Sequence, residues 1–425
     1  MSVREKFILK AGGLLLEGFE ERAASFGAAA AGRLERLNLL LAKARASSPE
    51  YDKACAAAGI GKGGLLSEED YSRLPLAGRE TLRAYSCGAA LASLESGGTG
   101  GSGRVETRLG LEAVVARYAA LLSVLKRTGW KMGDRIAAFH PVEYGYFNNL
   151  GKMLSGGRFG RILFEFFQQY VLYRLVHNRK NLYYDGGIFF DMASAGALLE
   201  SALREDPVLL ITRPDALMAV LKSLRGKPRP EFRRLKAVLT VGTALGETVR
   251  LEAKEKFGAE VFNMYASTEL GYVALSCPHS GDWLHVDEGR HIAEAAGGEL
   301  VVTDLDNRLM PVLRYATGDA GEVRERTCLC GRGGRMLKVL GREKSYIKTA
   351  GVKLYEAEII DRVFSSGLPF FQLDVTGRGL ILPPGARPEA AAEIRELLGL
   401  PAGSYGAAET GKLRISSSGK FCFLL

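Results

Sequence analysis

Apolar and polar positions follow two rhythms along this chain. Residues 14–45 are rich in Ala and Leu with charges at helical spacing, and residues 111–127 repeat an amphipathic helical pattern. Ser67 ahead of Glu68, Glu69 and Asp70 is a helix-capping signal. Residues 135–140 read as a short buried strand closed by Pro141. After Asp185-Gly186-Gly187 the pattern alternates. Helices are expected over 193–204, 215–224 and 247–257, and continuous apolar strands over 208–211, 237–241 and 260–262. Such alternation predicts a parallel sheet covered on both faces, with ligands at the carboxyl ends of its strands. Two of those ends are Val241-Gly242-Thr243-Ala244 and Met264-Tyr265-Ala266-Ser267-Thr268-Glu269-Leu270-Gly271.

From Glu299 onward short strands are expected over 300–303, 311–315 and 320–323. The last part reads as helix over 356–364, strand over 371–375 and helix over 388–398. The expected fold class is α/β and multi-domain. A large N-terminal domain, 1–343, would hold parallel sheets flanked by helices plus a β-rich subdomain. A small α+β C-terminal domain, 344–425, would follow, with the boundary near Lys344. Residues 160–176 are apolar and aromatic, which suits a core face; a helix facing lipid or a partner is the alternative.

Composition narrows the class. The 425 residues are 47% hydrophobic and 25% charged, as in an ordinary globular protein of two or three domains. The net charge of +9 is spread among nearly as many acids, and no basic run is interleaved with aromatics, so nucleic-acid binding is not read from it. A polyphosphate, coenzyme A or an acidic carrier protein suits a mild basic excess equally well. No uncharged apolar run reaches a membrane-spanning length, and charges interrupt the first ten residues, so neither a span nor a signal peptide is expected. Six cysteines in a chain this long do not make a disulfide framework, which favours a reducing, cytoplasmic setting.

The stretch Leu94-Glu95-Ser96-Gly97-Gly98-Thr99-Gly100-Gly101-Ser102-Gly103-Arg104 is dense in glycine and hydroxyls and closes on a cation. Successive glycine N–H groups in a bend form an anion-binding nest, and Arg104 adds fixed positive charge. No Gly-Lys-Ser/Thr follows, so it is not a Walker A loop. A flexible surface linker is the plainer alternative.

That loop is followed, in order, by Tyr265-Ala266-Ser267-Thr268-Glu269, Arg314-Tyr315-Ala316-Thr317-Gly318-Asp319, Gly341-Arg342 and Gly419-Lys420. The ordered set resembles the adenylate-forming superfamily of acyl-CoA synthetases, and most nearly its phenylacetate–CoA ligase and capsular-polysaccharide-biosynthesis-type members. The resemblance implies ATP-dependent activation of a carboxylate to acyl-AMP with pyrophosphate release. Transfer to the thiol of CoA or of a carrier-protein phosphopantetheine, giving a thioester, would follow. Transfer to an amine or other acceptor, and a non-catalytic nucleotide-binding or scaffold homologue, stay open as alternatives.

The resemblance also assigns roles. Ser96, Gly97, Gly98, Thr99, Gly100 and Arg104 would cradle the triphosphate. Gly242, Thr243 and Ala244 would line the adenine side, Tyr265 would stack near adenine, and Ala266 and Ser267 would complete that wall. Thr268 would meet the α-phosphate, and Glu269 would be the Mg²⁺ carboxylate. Asp319 would grip the ribose hydroxyls, with Arg342 a fixed cation near ribose and phosphate. Lys420 would be the catalytic lysine on the small domain, and Lys344 falls at the hinge. The loop departs from the family pattern at Glu95, Gly98 and Gly101-Ser102; Thr243 and Lys344-Ser345 replace acids.

Some relatives of this kind carry a Cys…His and a Cys-x-Cys, here Cys277 with His285 or His279, and Cys328 with Cys330. That implies a structural Cys₃His zinc site, with unligated thiols as the alternative. Cys55, Cys87 and Cys422 read as packing residues. His140 at a strand end reads as hydrogen-bonded structure. The implied partners are a carboxylic acid, aryl or acyl, with an acyl carrier protein and a homodimer left open, and neither nucleic acid nor membrane.

Overall fold

The computed structural model describes residues 32–67, 69–95, 105–144, 172–174, 177–376, 378–401, 404–406, 409–410 and 413–425. Within them one sheet organises the chain. Its strands are β3 (Ile136–Pro141), β4 (Arg179–Tyr184), β5 (Leu209–Thr212), β6 (Ala237–Val241), β7 (Glu260–Ser267), β8 (Gly271–Leu275), β9 (Leu284–Val286), β10 (His291–Ala296), β11 (Glu299–Asp304), β12 (Val312–Glu325) and β13 (Arg335–Arg342). A separate hairpin, β1 (Ala92–Glu95) and β2 (Glu106–Leu109), precedes it.

The spatial order is β10-β11-β12-β13-β9-β8-β7-β6-β5-β3-β4. From β4 to β7 every pair is parallel, and from β7 to β10 every pair is antiparallel. The expected α/β class is therefore present, but the β-rich part is not set apart from the parallel sheet. The tight turn between β7 and β8 reverses the chain direction, so the sheet continues antiparallel where a crossover helix would have kept it parallel.

Helices Met192–Glu205, Pro214–Ser223 and Glu247–Phe257 cover the parallel half, and Leu111–Arg127 lies on its other face. Their ends follow the local chemistry. The Asp191 carboxylate accepts from the N–H groups of Ala193 and Ser194, Pro214 starts its helix, and Gly258 ends one with φ +63°. Burial on both faces explains why β5 and β6 are apolar apart from the buried Thr212 and Thr240.

The segment after Arg342 is built from hairpin Ile347–Thr349 with Val352–Leu354, helix Glu356–Val363, strands Gln372–Asp374 and Gly379–Leu382, and helix Ala390–Leu398. Its apolar residues share one core with the parallel half. Phe189 meets Phe370 and Phe421 at centroid distances of 5.4 and 5.2 Å, and Phe421 meets Phe423 at 5.1 Å.

Several local expectations shift. The capping residue near 67 is Asp70, whose Oδ2 accepts from Leu66 and Ser67 N–H at 3.0 and 3.1 Å and leads into the 3₁₀ turn Glu69–Arg73. The strands expected over 311–315 and 320–323 are one strand, β12, irregular in register between them. The 260–262 strand runs on to Ser267. β4 went unexpected, because its polar residues Arg179, Lys180 and Asn181 hide an edge strand exposed on one side. Most of 160–176 and the start of 14–45 lie outside the described residues. Among the described residues no helix is long and apolar enough to cross a membrane.

Candidate active site

The glycine-rich residues 96–104, and with them Ser96, Gly97, Gly98, Thr99, Gly100 and Arg104, lie outside the described residues. Their stems do not. Glu95 pairs with Glu106 and Ala92 with Leu109, so the stretch joins the two strands of a hairpin. That hairpin packs through Leu94 and Leu109 on Ala113 and Val114 of the helix that follows. A chain held at both ends in this way is a hairpin connection, not a linker between domains.

The β7–β8 turn carries Thr268 and Glu269. Glu269 is 4% exposed, and the Tyr315 hydroxyl donates to its Oε1 at 3.4 Å. Arg117, on the helix Leu111–Arg127, fixes the turn's backbone. Its Nη1 donates to the Thr268 carbonyl at 2.9 Å and its Nη2 to the Glu269 carbonyl at 2.6 Å, while Asp304 stands 3.5 Å away. Burying a guanidinium is tolerable only with such partners.

Beside this turn lies a second cluster. Asp319 on β12 faces Arg342 on β13. Arg342 Nη1 is 3.2 Å from Asp319 Oδ1, and the Tyr265 hydroxyl donates to Asp319 Oδ2 at 2.8 Å. Gly318, at φ +79°, makes the bend that presents Asp319, and its N–H donates to Glu299 Oε1 at 2.7 Å. Burial pushes the Tyr265 hydroxyl well above its ordinary pKa, with the Asp319 charge adding to the effect. The Asp319 charge also raises the Arg342 guanidinium, with Tyr265, Cys422 and Glu269 acting in the same direction.

Lys420 reaches the same place from the end of the chain. Its Nζ donates to the Gly242 carbonyl at 2.8 Å. Gly242 follows β6 at φ +104°, a conformation that disfavours any other residue. Burial lowers the Lys420 pKa, and the charges of Arg213 and Arg342 lower it further. Thr243 Oγ1 is buried with no hydrogen-bond partner among the described residues. Ser267 Oγ accepts from the Leu270 N–H at 3.2 Å, so it shapes the turn. His140 at the end of β3 contacts Arg179; burial, then Arg179 and Arg213, push its pKa down to about 3 and keep it neutral.

Some of these partners were not singled out in the sequence: Arg117, Tyr315 and Arg213. Arg213 and Asp215 follow the carboxyl end of β5, where strand-end logic points. Arg117 carried no such signal.

The cysteine cluster is separate. Ligand atoms of Cys277, His285, Cys328 and Cys330 lie within 4.8 Å of one another. Cys277 Sγ is 3.6 Å from Cys328 Sγ, and Cys330 Sγ is 3.5 Å from His285 Nε2. Metal–sulfur bonds of about 2.3 Å in a tetrahedron separate the sulfurs by roughly 3.7 Å, so two of the donor pairs already stand at zinc spacing and the set as a whole needs to contract a little to fit the ion. His285, on β9, is the histidine of the cluster, and His279 is not in it.

Helices on a sheet that turns from parallel to antiparallel, with acids and cations gathered at the strand ends, make this the fold of the adenylate-forming ligases. A 2-hydroxyisobutyryl-CoA ligase in the postadenylation state, in complex with 2-HIB-AMP, superposes with TM-score 0.66 at 17% identity, covering 91% of this chain and 87% of that one. In sequence the chain is similar to phenylacetate-coenzyme A ligase of Thermus thermophilus, 28% identical over 152 residues, 32% of this chain and 34% of the relative. It is also similar to phenylacetate-coenzyme A ligase of Escherichia coli, 26% identical over 149 residues, 31% of this chain and 34% of the relative. The chain thus spans about a third of the length of the curated relatives it matches. No family model matches it.

Proposed function

We propose that this chain is an acyl-adenylate-forming ligase. A carboxylate oxygen attacks the α-phosphorus of ATP, pyrophosphate leaves, and the acyl-AMP then passes its acyl group to the thiol of CoA or of a carrier-protein phosphopantetheine. The observation that carries the reading is the meeting of Lys420 with Gly242 at the mouth of β6, beside the Tyr265–Asp319–Arg342 cluster on β7, β12 and β13. A lone lysine on a surface explains nothing; a lysine brought to the strand ends near Arg213 and Arg342, the latter paired with Asp319, accounts for the motif order.

In this reading Asp319 accepts from two ribose hydroxyls, one per carboxylate oxygen, with Arg342 against it as a fixed cation. Tyr265, held by Asp319, stacks near adenine. Lys420 leaves the Gly242 carbonyl to bridge substrate carboxylate and α-phosphate, where negative charge accumulates. Its lowered pKa reflects a desolvated place that strengthens such a contact. Thr268 donates to the α-phosphate, and the hairpin residues 96–104 hold the triphosphate. Glu269, a buried carboxylate, would hold Mg²⁺, which would supply positive charge against the phosphates. Cys277, His285, Cys328 and Cys330 would hold structural zinc. The division into 1–343 and 344–425, with movement about Lys344, belongs to the same proposal.

Pyrophosphate release from ATP with a library of carboxylic acids tests the first step. Trapping with hydroxylamine against CoA, a carrier protein and amines then assigns the acceptor. No release with any acid in the presence of Mg²⁺ overturns the proposal.

A further inference from the structure

The ion pair Arg213–Asp215 is buried and lies outside every role so far assigned. Its side chains are 8% and 2% exposed, with Arg213 Nη2 2.5 Å and Nε 3.0 Å from the two Asp215 oxygens. The fork of the guanidinium has capacity to spare, and it uses it on the segment around Lys420. Arg213 Nη1 donates to the Ser418 carbonyl at 3.1 Å, and Nη2 also donates to the Gly419 carbonyl. From the other side, the Phe421 N–H donates to Asp215 Oδ2 at 2.9 Å. Asp215 Oδ1 in turn accepts from the Ala216 N–H at 2.9 Å, which ties the pair to the first turn of helix Pro214–Ser223.

We infer that Arg213 and Asp215 are positioning residues that clamp the backbone on both sides of Lys420 and so aim its ammonium at the cleft. In this state the clamp holds two carbonyls before the lysine and one N–H after it, so the backbone that carries the side chain is fixed while the clamp is closed. The turn is closed locally as well: Lys420 N–H donates to Ser416 Oγ at 2.9 Å, and Ser416 N–H donates to the Lys420 carbonyl at 3.0 Å. A buried ion pair is poor value as a stabiliser but good value as a geometric constraint, since each charge must be fully partnered to be there at all. Arginine is required rather than any cation, because one planar fork meets a carboxylate and two carbonyls at once.

This inference rests on the proposed adenylation for its kinetic consequence, but not for its structural one. The test uses the full chain and three variants: Arg213→Met, Arg213→Lys and Asp215→Asn. Amide hydrogen exchange of the unliganded protein reads the clamp without any catalysis. Arg213→Met is expected to speed exchange over 416–423 on the order of tenfold or more while the β5–β7 amides keep their protection. Asp215→Asn keeps an acceptor for the Phe421 N–H and is expected to exchange there at an intermediate rate. In steady state with an accepted acid, Arg213→Met is expected to lower kcat for pyrophosphate release about a hundredfold, with KM for ATP within about threefold. Arg213→Lys, which keeps the charge and loses the fork, is expected to recover less than a tenth of that loss. Unchanged exchange over 416–423 in Arg213→Met overturns the clamp, whatever the activity. Full recovery of kcat by Arg213→Lys overturns the geometric role in favour of charge alone. Absence of activity in the parent chain bears on the function and leaves the exchange result to decide the clamp.

Discussion

Asp319 and Arg342 sit directly opposite each other on neighbouring antiparallel strands, with Nη1 and Oδ1 3.2 Å apart. Each comes from a different motif, twenty-odd residues apart in sequence, and the strand register alone brings them together. The Tyr265 hydroxyl completes the group from β7. The acid is thus held by a phenol and a guanidinium together.

Lys420→Ala is expected to lower pyrophosphate release on the order of 10²–10³-fold while leaving ATP affinity within about twofold. Its Nζ bonds a backbone carbonyl in this state, so little ground-state contact is lost. Turnover with a carboxylate library and ATP binding by calorimetry check the split.

Glu269→Gln keeps the shape of the β7–β8 turn, because Arg117 grips backbone carbonyls and not the Glu269 side chain. Magnesium-dependent turnover is expected to fall about a hundredfold with the melting temperature nearly unchanged. A Mg²⁺ titration of rate with thermal melts of both proteins measures this.

Purification without chelator is expected to give about one zinc per chain by elemental analysis. Cys328→Ser should lose the metal and lower stability, since three of its partners then surround an unpaired donor. Zinc content near zero in the parent protein contradicts the site.

Lys222 gives a pH signature. The residue is 9% exposed, and its ammonium donates to the Leu368 carbonyl at 2.5 Å and lies 4.8 Å from the Phe370 ring centroid. Burial first, then Arg225, push its pKa down to about 7, with Glu252 opposing. The unfolded chain keeps this proton up to its ordinary value near 10.5. Between those limits the unfolded state binds one more proton, so Lys222 makes stability rise with pH by about 1.4 kcal/mol per unit. Below about 7 both states are protonated and the slope vanishes. Urea unfolding of the parent and Lys222→Met at pH 7.5 and 9.5 should show the difference between them changing by about 3 kcal/mol.

Gly419→Ala should damage the lysine's approach. At φ +68° a Cβ would lie 2.5 Å from Pro141 Cβ and 2.7 Å from Glu143 Oε2. Loss of about 1–3 kcal/mol in stability, with a drop in kcat exceeding that in other Gly→Ala variants, is expected from unfolding curves and rates.

Much of this was legible in the chain. The helices Leu111–Arg127 and Glu247–Phe257 and strand Ala237–Val241 fall at their expected bounds, because burial on defined faces writes a periodic signal. The ordered motifs pointed to Tyr265, Asp319, Arg342 and Lys420, and the structure brings these together. Partners set by tertiary geometry stayed hidden. Nothing in the sequence around Arg117 marks it as the residue that binds the turn at Thr268 and Glu269. Nor does the sequence show that β12 is one strand, because Gly318 and Thr317 read as a break while the sheet on either side carries them through. The family spacing slightly favours His285 over His279, and proximity to Cys330 in three dimensions agrees with it.

The grip of Arg117 on two successive carbonyls has a further consequence. The helix that bears it is the one on which the β1–β2 hairpin rests. Hairpin and carboxylate turn therefore take their positions from one common helix, the hairpin by apolar packing and the turn by a single guanidinium.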